Sequence, residues 1–267
     1  MLALLVVWGA ASAWIGPDIL PGPVAVSERL INVVLYEDFV RHMAATIARV
    51  MTGLVASLSI ATVLGIAMGL SRNAERFLDG LILLGRVMPG LAWALLALMV
   101  VGVSGRAPIF AVLLAVTPLL TLQIWEATKA LDSDLFRMAR VFDATRMMVF
   151  RQVVVPATLP SIVGGAKLGL TLSWKVVVLA ELFGVTSGVG AEINRNFQIF
   201  SLDGVLAWAL AFGAVMALVE YAIIGPIYSR LTRWRSLSGR VPLAERLLRQ
   251  ASWSRSVRDS RVEGPVA

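Results

Sequence analysis

Long apolar runs separated by short charged connections dominate the chain. A helix needs about 20 mostly apolar residues to cross a bilayer, so run length alone divides the sequence into spans. The pattern predicts about six of them. They cover residues 2–15, 50–70, 87–103, 107–125, 159–183 and 204–229. The sequence therefore predicts an all-α, polytopic membrane protein.

The first apolar run is ambiguous. It is short, and Ala11, Ser12 and Ala13 at its end resemble the A-x-A site where signal peptides are cleaved. The basic segment that precedes the apolar core of a signal peptide is missing, however. A translation start site assigned too far downstream would equally explain why no basic segment precedes the apolar run. We favour a retained membrane segment and keep the cleaved signal peptide as the alternative.

Composition places the chain in a membrane and excludes several kinds of chemistry. Of its 267 residues, 58% are hydrophobic and 15% are charged, and the mean hydropathy is +0.81. A globule of this size could not bury that much apolar surface, so lipid must cover the rest. Without cysteine, the chain has no disulfide, thiolate nucleophile or cysteine metal site. The single histidine, His42, lies at the edge of an apolar run and is interpreted as solvated or interfacial.

Nothing in the sequence supports catalysis. The chain has no P-loop, no HExxH pattern and no serine paired with a histidine in a known motif. We therefore expect no catalytic residue, no metal and no cofactor. Any ATPase that works with this protein must be another polypeptide.

Basic residues predict the orientation in the membrane. The connections 71–79 and 129–158 and the tail after residue 229 are rich in basic residues, while the alternate connections hold fewer, and most of the net charge of +7 is confined to loops and the tail. By the positive-inside rule, both termini face the cytoplasm, and nucleic acid is not the expected partner. The Arg- and Ser-rich tail, residues 236–267, is predicted to be disordered. The alternative is a short amphipathic helix on anionic lipid, formed around Leu243, Leu247 and Leu248.

The connection 132–160 is charged and amphipathic, and it predicts two short helices. The first has an apolar stripe and a cap at Ser133 or Asp134. A turn at Asp143, with Thr145 capping the next helix, leads to a second stripe. The stripes are Leu135, Met138, Ala139 and Phe142, then Met147, Phe150, Val153 and Val154.

Two prolines end this connection. Pro156 and Pro160 are expected to stop the second helix and to set the angle at which the next span enters the membrane. Periodicity alone leaves two interpretations open. The helix-turn-helix either hangs in the cytoplasm to meet a partner or is an interfacial re-entry element.

The end of this connection, "VVVPATLP" at 153–160, resembles the EAA loop of permease subunits of ATP-binding-cassette importers. The wider chain, roughly residues 38–235, is similar to the nitrate/sulfonate/taurine branch of that family. Supporting stretches are 69–96, 168–184 and "TSGVGAEI" at 186–193. The motif is loosely kept. Where the family has Glu-Ala-Ala this chain has Arg137-Met138-Ala139, and where it has Gly this chain has Asp143.

The resemblance implies a function. Residues 1–235 would form a permease domain that moves a small solute, such as a nitrate-, sulfonate- or taurine-like anion, across the inner membrane by alternating access. The loop 132–160 would be the coupling loop that docks on a cytoplasmic ATPase subunit. Its residues implied in docking are Arg137, Met138, Ala139, Arg140, Phe142, Asp143 and Pro156.

The resemblance also implies partners. They are two ATPase subunits, a periplasmic or lipid-anchored substrate-binding protein, membrane lipid and a second permease subunit, which we expect to be identical. The alternative function is a secondary transporter, which would show inverted repeats or broken helices at mid-membrane. A membrane-anchored assembly factor without transport activity is a third interpretation.

Ionisable residues within the spans are candidates for a translocation pathway, because an ionised group in lipid is costly unless it faces a cavity or a partner. Lys175, near the middle of its span, and Glu181, near the outer face, are the candidate pathway residues. Lys167 can reach the cytoplasmic interface. For Lys175 the alternative is a structural pairing with an acidic group or a backbone carbonyl.

Small residues and prolines predict how the spans pack. Two small-xxx-small pairs, Gly65 with Gly69 and Gly165 with Gly169, predict close helix contacts. Pro89 and Pro118 predict kinks within spans.

Overall fold

The computed structural model describes residues 2–16 and 19–224, and the regular structure in these residues is entirely helical. The all-α prediction is confirmed. The predicted tail, residues 236–267, lies outside the described residues, as does the end of the predicted span 204–229. In chain order the helices are α1 (Leu2–Ile15), α2 (Pro23–Tyr36), α3 (Phe39–Leu70), α4 (Arg72–Val87), α5 (Gly90–Val101), α6 (Ala107–Lys129), α7 (Ser133–Val141), α8 (Arg146–Val149), α9 (Val155–Gly184), α10 (Val189–Gln198) and α11 (Leu202–Val219).

Two π-helical turns extend these helices. The first, Phe150–Val154, joins α8 to α9, and the second, Glu220–Ile224, continues α11.

Four helical segments in the described residues are long and apolar enough to cross a membrane: Phe39–Leu70, Ala107–Lys129, Arg146–Gly184 and Leu202–Ala222. Helices α4 and α5 supply a fifth span if the pair, bent by 104°, crosses as one. Helix α1 has 14 residues, about 21 Å at 1.5 Å per residue, against a hydrocarbon core of about 30 Å. Six crossings are therefore reached only if the bent pair and the short first helix both cross.

Helix α3 begins earlier than the apolar pattern predicts. It starts at Phe39 rather than near residue 50, and the predicted connection before it contains α2 as well. The first turns of α3 are polar, which is why they resemble a connection. Their polar side chains are paired inside the protein, so the helix continues through them.

Helix α3 packs against α6 along a seam of small residues. A Cβ at Gly53 would lie 2.9 Å from Val112, and one at Gly65 would lie 2.8 Å from Ile124. Gly69 abuts Thr128 in the same way. Since real Cβ atoms do not approach so closely, any larger residue would push the two helices apart.

The second predicted glycine pair also lies at a helix contact. A Cβ at Gly169 would lie 2.8 Å from Leu54 of α3, and Gly165 packs against Leu120 and Gln123 of α6. Helix α9 packs against α3, α5, α6 and α10, and α6 packs against α3, α4, α5 and α9, so these two helices lie at the centre of the bundle.

The two prolines inside predicted spans behave differently. At Pro89 the chain turns by 104° between α4 and α5, so the predicted kink is a complete break. Pro118 lies inside α6, which runs from Ala107 to Lys129 without interruption. Its ring packs against Gly85 of α4, where a side chain would not fit.

Candidate functional site

The loop 132–160 has the helix-turn-helix form that its sequence predicts. The side chain of Asp132, rather than of Ser133 or Asp134, caps α7 by accepting a 2.8 Å hydrogen bond from the N–H of Asp134. Asp143 adopts the left-handed conformation with φ +50°. The hydroxyl of Thr145 accepts a 3.3 Å bond from the N–H of Met148 and starts α8.

The prediction that Pro156 and Pro160 stop the helix is wrong. Residues Arg146–Gly184 form one helical segment of 39 residues, about 58 Å long. The π-turn before Pro156, in which the N–H of Val155 donates to the carbonyl of Phe150, displaces the carbonyls that a proline ring would otherwise meet. The connection to the span is therefore stiff because it is a continuous helix.

Helix α7 has two different faces. On one face Phe136 packs against the core cluster and lines a cleft of about 530 Å³ between the loop and Leu70 at the end of α3. The opposite face is uncovered: Met138 is 54% exposed, Val141 81% and Phe142 76%. An apolar face of this kind on a charged loop is typical of a docking surface.

Six of the seven residues predicted for docking are exposed, but they do not share one face: Arg140 lines the cleft beside Phe136, and Pro156 lies on α9. Ala139 is half-buried, and its carbonyl accepts a bond from the N–H of Ala144 that closes the end of α7. Arg137 pairs with Asp134 at 2.9 Å within the same helix. The exposed members of the set are Arg137, Met138, Arg140, Phe142, Asp143 and Pro156.

At the opposite end of the spans lies a second polar region, centred on Glu181. Its side chain is fully buried. Arg49 Nη1 donates to Glu181 Oε1 at 2.5 Å, and the hydroxyl of Thr46 lies 2.9 Å from Oε2. Burying a carboxylate costs free energy because the group loses its hydration. A charged partner and further hydrogen-bond donors compensate this cost. We call His42, Thr46, Arg49, Glu181 and residues 187–190 the outer network.

The outer network holds the start of α10. The first three N–H groups of this helix have no intrahelical acceptors, and side chains from two spans supply them. The N–H of Gly188 donates to His42 Nδ1 at 3.1 Å, that of Val189 to Thr46 Oγ1 at 2.9 Å, and that of Gly190 to Glu181 Oε2 at 3.1 Å. Gly188 has φ +109°, and a side chain there would overlap the carboxylate of Glu181.

Arg49 ties three elements together. Its guanidinium donates to the carbonyl of Ser187 at 2.6 Å and to the hydroxyl of Ser187 at 2.7 Å. A Cβ at Gly105, in the connection between α5 and α6, would lie 3.3 Å from Nη2. The connection that follows α9 is therefore bonded to α3 through Arg49, and the connection that follows α5 lies close to the same side chain.

The prediction for His42 is corrected. Its side chain is only 12% exposed, and Nε2 lies 3.4 Å from Glu192. The ring packs edge-on against Trp208 with centroids 5.9 Å apart. Because Nδ1 accepts from Gly188, the proton of the neutral ring is on Nε2, which faces Glu192. His42 is a structural member of the outer network.

The outer network went unrecognised in the sequence, although a signal for it exists. His42, Thr46 and Arg49 recur at i, i+4 and i+7, which places three polar groups on one helical face just before an apolar run. Such a polar stripe leading into a span requires buried partners.

Lys175 and Glu181, predicted for one pathway, occupy different environments. Glu181 is enclosed in the outer network, whereas Lys175 is exposed on α9, with its Nζ 5.5 Å from the centre of the Trp174 ring. Among the described residues no carboxylate pairs with Lys175, while Lys167 lies 3.7 Å from Glu220. Within the part of the chain that the structure describes, no cluster of acidic, histidine or cysteine side chains could hold a metal ion.

Comparison with known proteins gives a consistent result. Residues 61–234 match the family described as binding-protein-dependent transport system inner membrane component. A probable ABC transporter permease protein of Brucella abortus is 30% identical over 220 residues, which are 82% of this chain and 88% of that protein. The taurine transport system permease protein of Escherichia coli is 30% identical over 241 residues, 88% and 87% of the two chains.

A relative named for aliphatic sulfonates and a solved structure extend this comparison. The putative aliphatic sulfonates transport permease protein of Bacillus subtilis is 27% identical over 222 residues, 83% of this chain and 80% of that protein. A structure of the inward-facing MetNI methionine ABC transporter matches with a TM-score of 0.58 at 16% identity. It covers 70% of this chain and 94% of that one. At this identity the structural match supports the fold alone.

Proposed function

Because the chain belongs to the binding-protein-dependent transport system inner membrane components, we propose that its loop 132–160 docks on a cytoplasmic ATPase subunit and drives an importer. The permease is of the taurine and sulfonate branch, for which two of its relatives are named. The observation that carries the docking proposal is the uncovered apolar face of α7, whose opposite face Phe136 anchors to the bundle.

The helix that follows the loop supports a mechanical role. A push on α7 and α8 reaches the centre of the bundle through the continuous segment Arg146–Gly184. A flexible connection would absorb this displacement, whereas a helix transmits it. ATP hydrolysis is placed on the separate subunit, and this chain supplies only the conformational change.

The translocation pathway is proposed to lie along the exposed face of α9. In this helix, packed on several sides by neighbouring spans, Lys175 is left open near mid-membrane. Intramembrane charges face cavities or partners rather than lipid. A second copy of the chain facing this surface would enclose a pathway between the two, so we propose a homodimer. The two copies would lie with both termini in the cytoplasm, as the distribution of basic residues favours.

A small anion is the proposed substrate class. Two relatives are named for taurine and aliphatic sulfonates, and a cationic Lys175 in the pathway would attract a sulfonate group. Another relative is named for formylaminopyrimidine. Glu181 is proposed as a structural residue, because the outer network surrounds it.

Uptake of radiolabelled taurine tests this proposal, measured in vesicles that hold the permease, its ATPase and its binding protein. Lys175→Met is expected to reduce the initial rate by about tenfold or more, the loss typical of one buried charge contact. ATPase co-purification should remain at the parental level. Lys167→Met, which removes a lysine already paired with Glu220, is the matched control and should retain most uptake.

Two results would contradict parts of the proposal. Parental uptake by Lys175→Met would remove this residue from the pathway. Uptake that continues when the ATPase is inactivated would favour the secondary transporter over the importer.

A further inference from the structure

Three apolar side chains stand uncovered where α10 turns into α11. Phe197 is 66% exposed, Ile199 69% and Phe200 91%. We call residues 197–201 the outer corner. It lies at the same end of the spans as the outer network and opposite the loop 132–160.

The backbone of the outer corner is fixed, and at Phe200 it is strained. Phe200 has φ +56°, a left-handed conformation that is unfavourable for a bulky residue and free of strain for glycine. The N–H of Phe200 donates to the carbonyl of Phe197 at 3.1 Å, and that of Ser201 to the carbonyl of Asn196 at 3.0 Å. Folding alone would favour Gly or Asn at this position, so the exposed phenyl ring calls for another explanation.

The outer corner lies outside the hydrocarbon layer. The span that follows it, Leu202–Ala222, has 21 residues, about 31 Å, which is the thickness of the hydrocarbon core. Two charged residues flank the corner: the side chain of Arg195 is 63% exposed and that of Asp203 is 40% exposed. Since exposed charges are costly in hydrocarbon, this corner faces the polar layer or the solution.

A polar pocket adjoins the apolar tip. Ile199, together with Arg195 and Asn196, lines a pocket of about 360 Å³ that also contains Arg29 and Glu192. An exposed aromatic tip beside a charged rim is the arrangement that protein interfaces use, with apolar anchors at the centre and polar groups around them.

The outer corner is also connected to the helices that lead to the loop 132–160. It ends α10, whose start is held by Glu181 of α9 and by Thr46 of α3. Helix α9 continues without a break into the loop 132–160. A load on this corner therefore reaches the proposed ATPase contact through helices and buried hydrogen bonds.

From these observations we infer that the outer corner is a contact surface for the soluble binding protein, with Phe200 as its anchor. The inference rests on the proposed function, since the family depends on such a protein for substrate delivery. Lipid and a second copy of the chain are the competing occupants of this surface.

The affinity of the cognate binding protein tests the inference. The permease with its ATPase is placed in nanodiscs, and fluorescently labelled binding protein is titrated against it. Phe200→Gly keeps the left-handed backbone and removes only the ring, and it is expected to weaken binding by about tenfold or more. Val40→Ser is the matched control, because Val40 is an apolar residue at the same end that is 76% exposed; its affinity should stay within about twofold.

An unchanged affinity of Phe200→Gly, in a complex whose parent binds and transports, would overturn the inference and leave the proposed function intact. A parental complex that binds neither the ATPase nor the binding protein would instead contradict the proposed function.

A second measurement separates the possible occupants. The chain has no cysteine, so Phe200→Cys introduces a single site for an environment-sensitive fluorophore. A blue shift of emission on addition of binding protein supports the inference. An emission already blue-shifted in nanodiscs and unaffected by the binding protein would assign the corner to lipid, and disulfide-linked permease dimers through Cys at this position would assign it to a second copy. Either result overturns the inference.

Discussion

The outer network and the loop 132–160 differ in how far their chemical groups are paired within the chain. At the outer network, a fully buried carboxylate, a guanidinium, a histidine and three helix N–H groups are all paired with one another. At the loop 132–160, apolar side chains such as Val141 and Phe142 are left 81% and 76% exposed. The outer network is complete within a single chain, whereas the apolar face of α7 is left uncovered by it.

This difference indicates where the protein is rigid and where it is prepared to bind. Buried polar groups are costly unless paired, so the outer network locks α3, α9 and α10 into one unit. Exposed apolar groups contribute little to the stability of the chain itself. Mutations at the outer network should therefore affect folding, and those on the exposed face of α7 should affect association.

The largest effect is expected for Glu181→Gln. The substitution leaves Arg49 buried without a negative partner, which typically costs about 3–5 kcal/mol. Thermal unfolding of the purified chain in detergent should occur at a clearly lower temperature. Glu28→Gln, which changes an exposed carboxylate, should unfold at the parental temperature.

A double variant sharpens this prediction. Replacing both partners, with Arg49→Leu and Glu181→Leu together, removes the unpaired charge and should recover part of the lost stability. Equal stability of Glu181→Gln and the parent would show that the ion pair contributes nothing to the free energy of unfolding. The outer network would then not be the rigid part of the protein.

The next largest effect is expected for Ala139→Trp. In the family motif this position stays small, and an indole there would hold α7 away from its partner, at a cost of about 1–3 kcal/mol of association free energy. ATPase co-purification and substrate uptake should both fall while the chain still inserts into the membrane. If both activities persist, the loop is an interfacial re-entry element and not a docking site.

Two phenylalanines of the same segment provide a matched comparison. Phe142 is 76% exposed, whereas Phe136 packs against the core. Phe142→Ser should weaken ATPase binding with little change in thermal stability, while Phe136→Ser should lower the stability by about 1–2 kcal/mol, part of the value of a buried phenyl group. The reverse pattern would mean that α7 docks by its other face.

The smallest effect is expected for Asp143→Gly. Asp143 has φ +50°, which glycine adopts without strain, so stability and ATPase binding should stay within about 1 kcal/mol of the parent. Asp143→Pro is the contrast, because proline cannot take a positive φ and lacks the N–H that donates to Arg140. Equal behaviour of the two variants in ATPase co-purification would show that the turn is not needed for docking.

Much of the architecture could be predicted because it depends on local patterns. The sequence shows α6 and α11 as apolar runs, and it shows the helix-turn-helix around Asp143 as apolar residues that recur at helical spacing. Membrane insertion is a property of run length and composition, so it also needs no knowledge of contacts. At Pro89 the sequence predicts a kink from one residue, although the structure has a full break there between two helices.

The prediction of the connections failed where the surrounding structure changes the effect of a local signal. Pro156 does not end its helix because the π-turn directly before it rearranges the carbonyls. The polar start of α3 resembles a loop until Glu181, from a distant part of the chain, is placed beside it. The first change is local and the second is tertiary.

The sequence by itself therefore determined that this protein lies in a membrane, that it is helical, and that it has an amphipathic loop, for which we propose docking on an ATPase. Only the tertiary structure decided which charges are structural and which are open. Glu181 and Lys175 lie on the same helix and look equivalent in sequence, but one is enclosed by α3 and α10 and the other faces outward. The cost of a charge is set by what surrounds it, and those surroundings come from residues more than a hundred positions away in the chain.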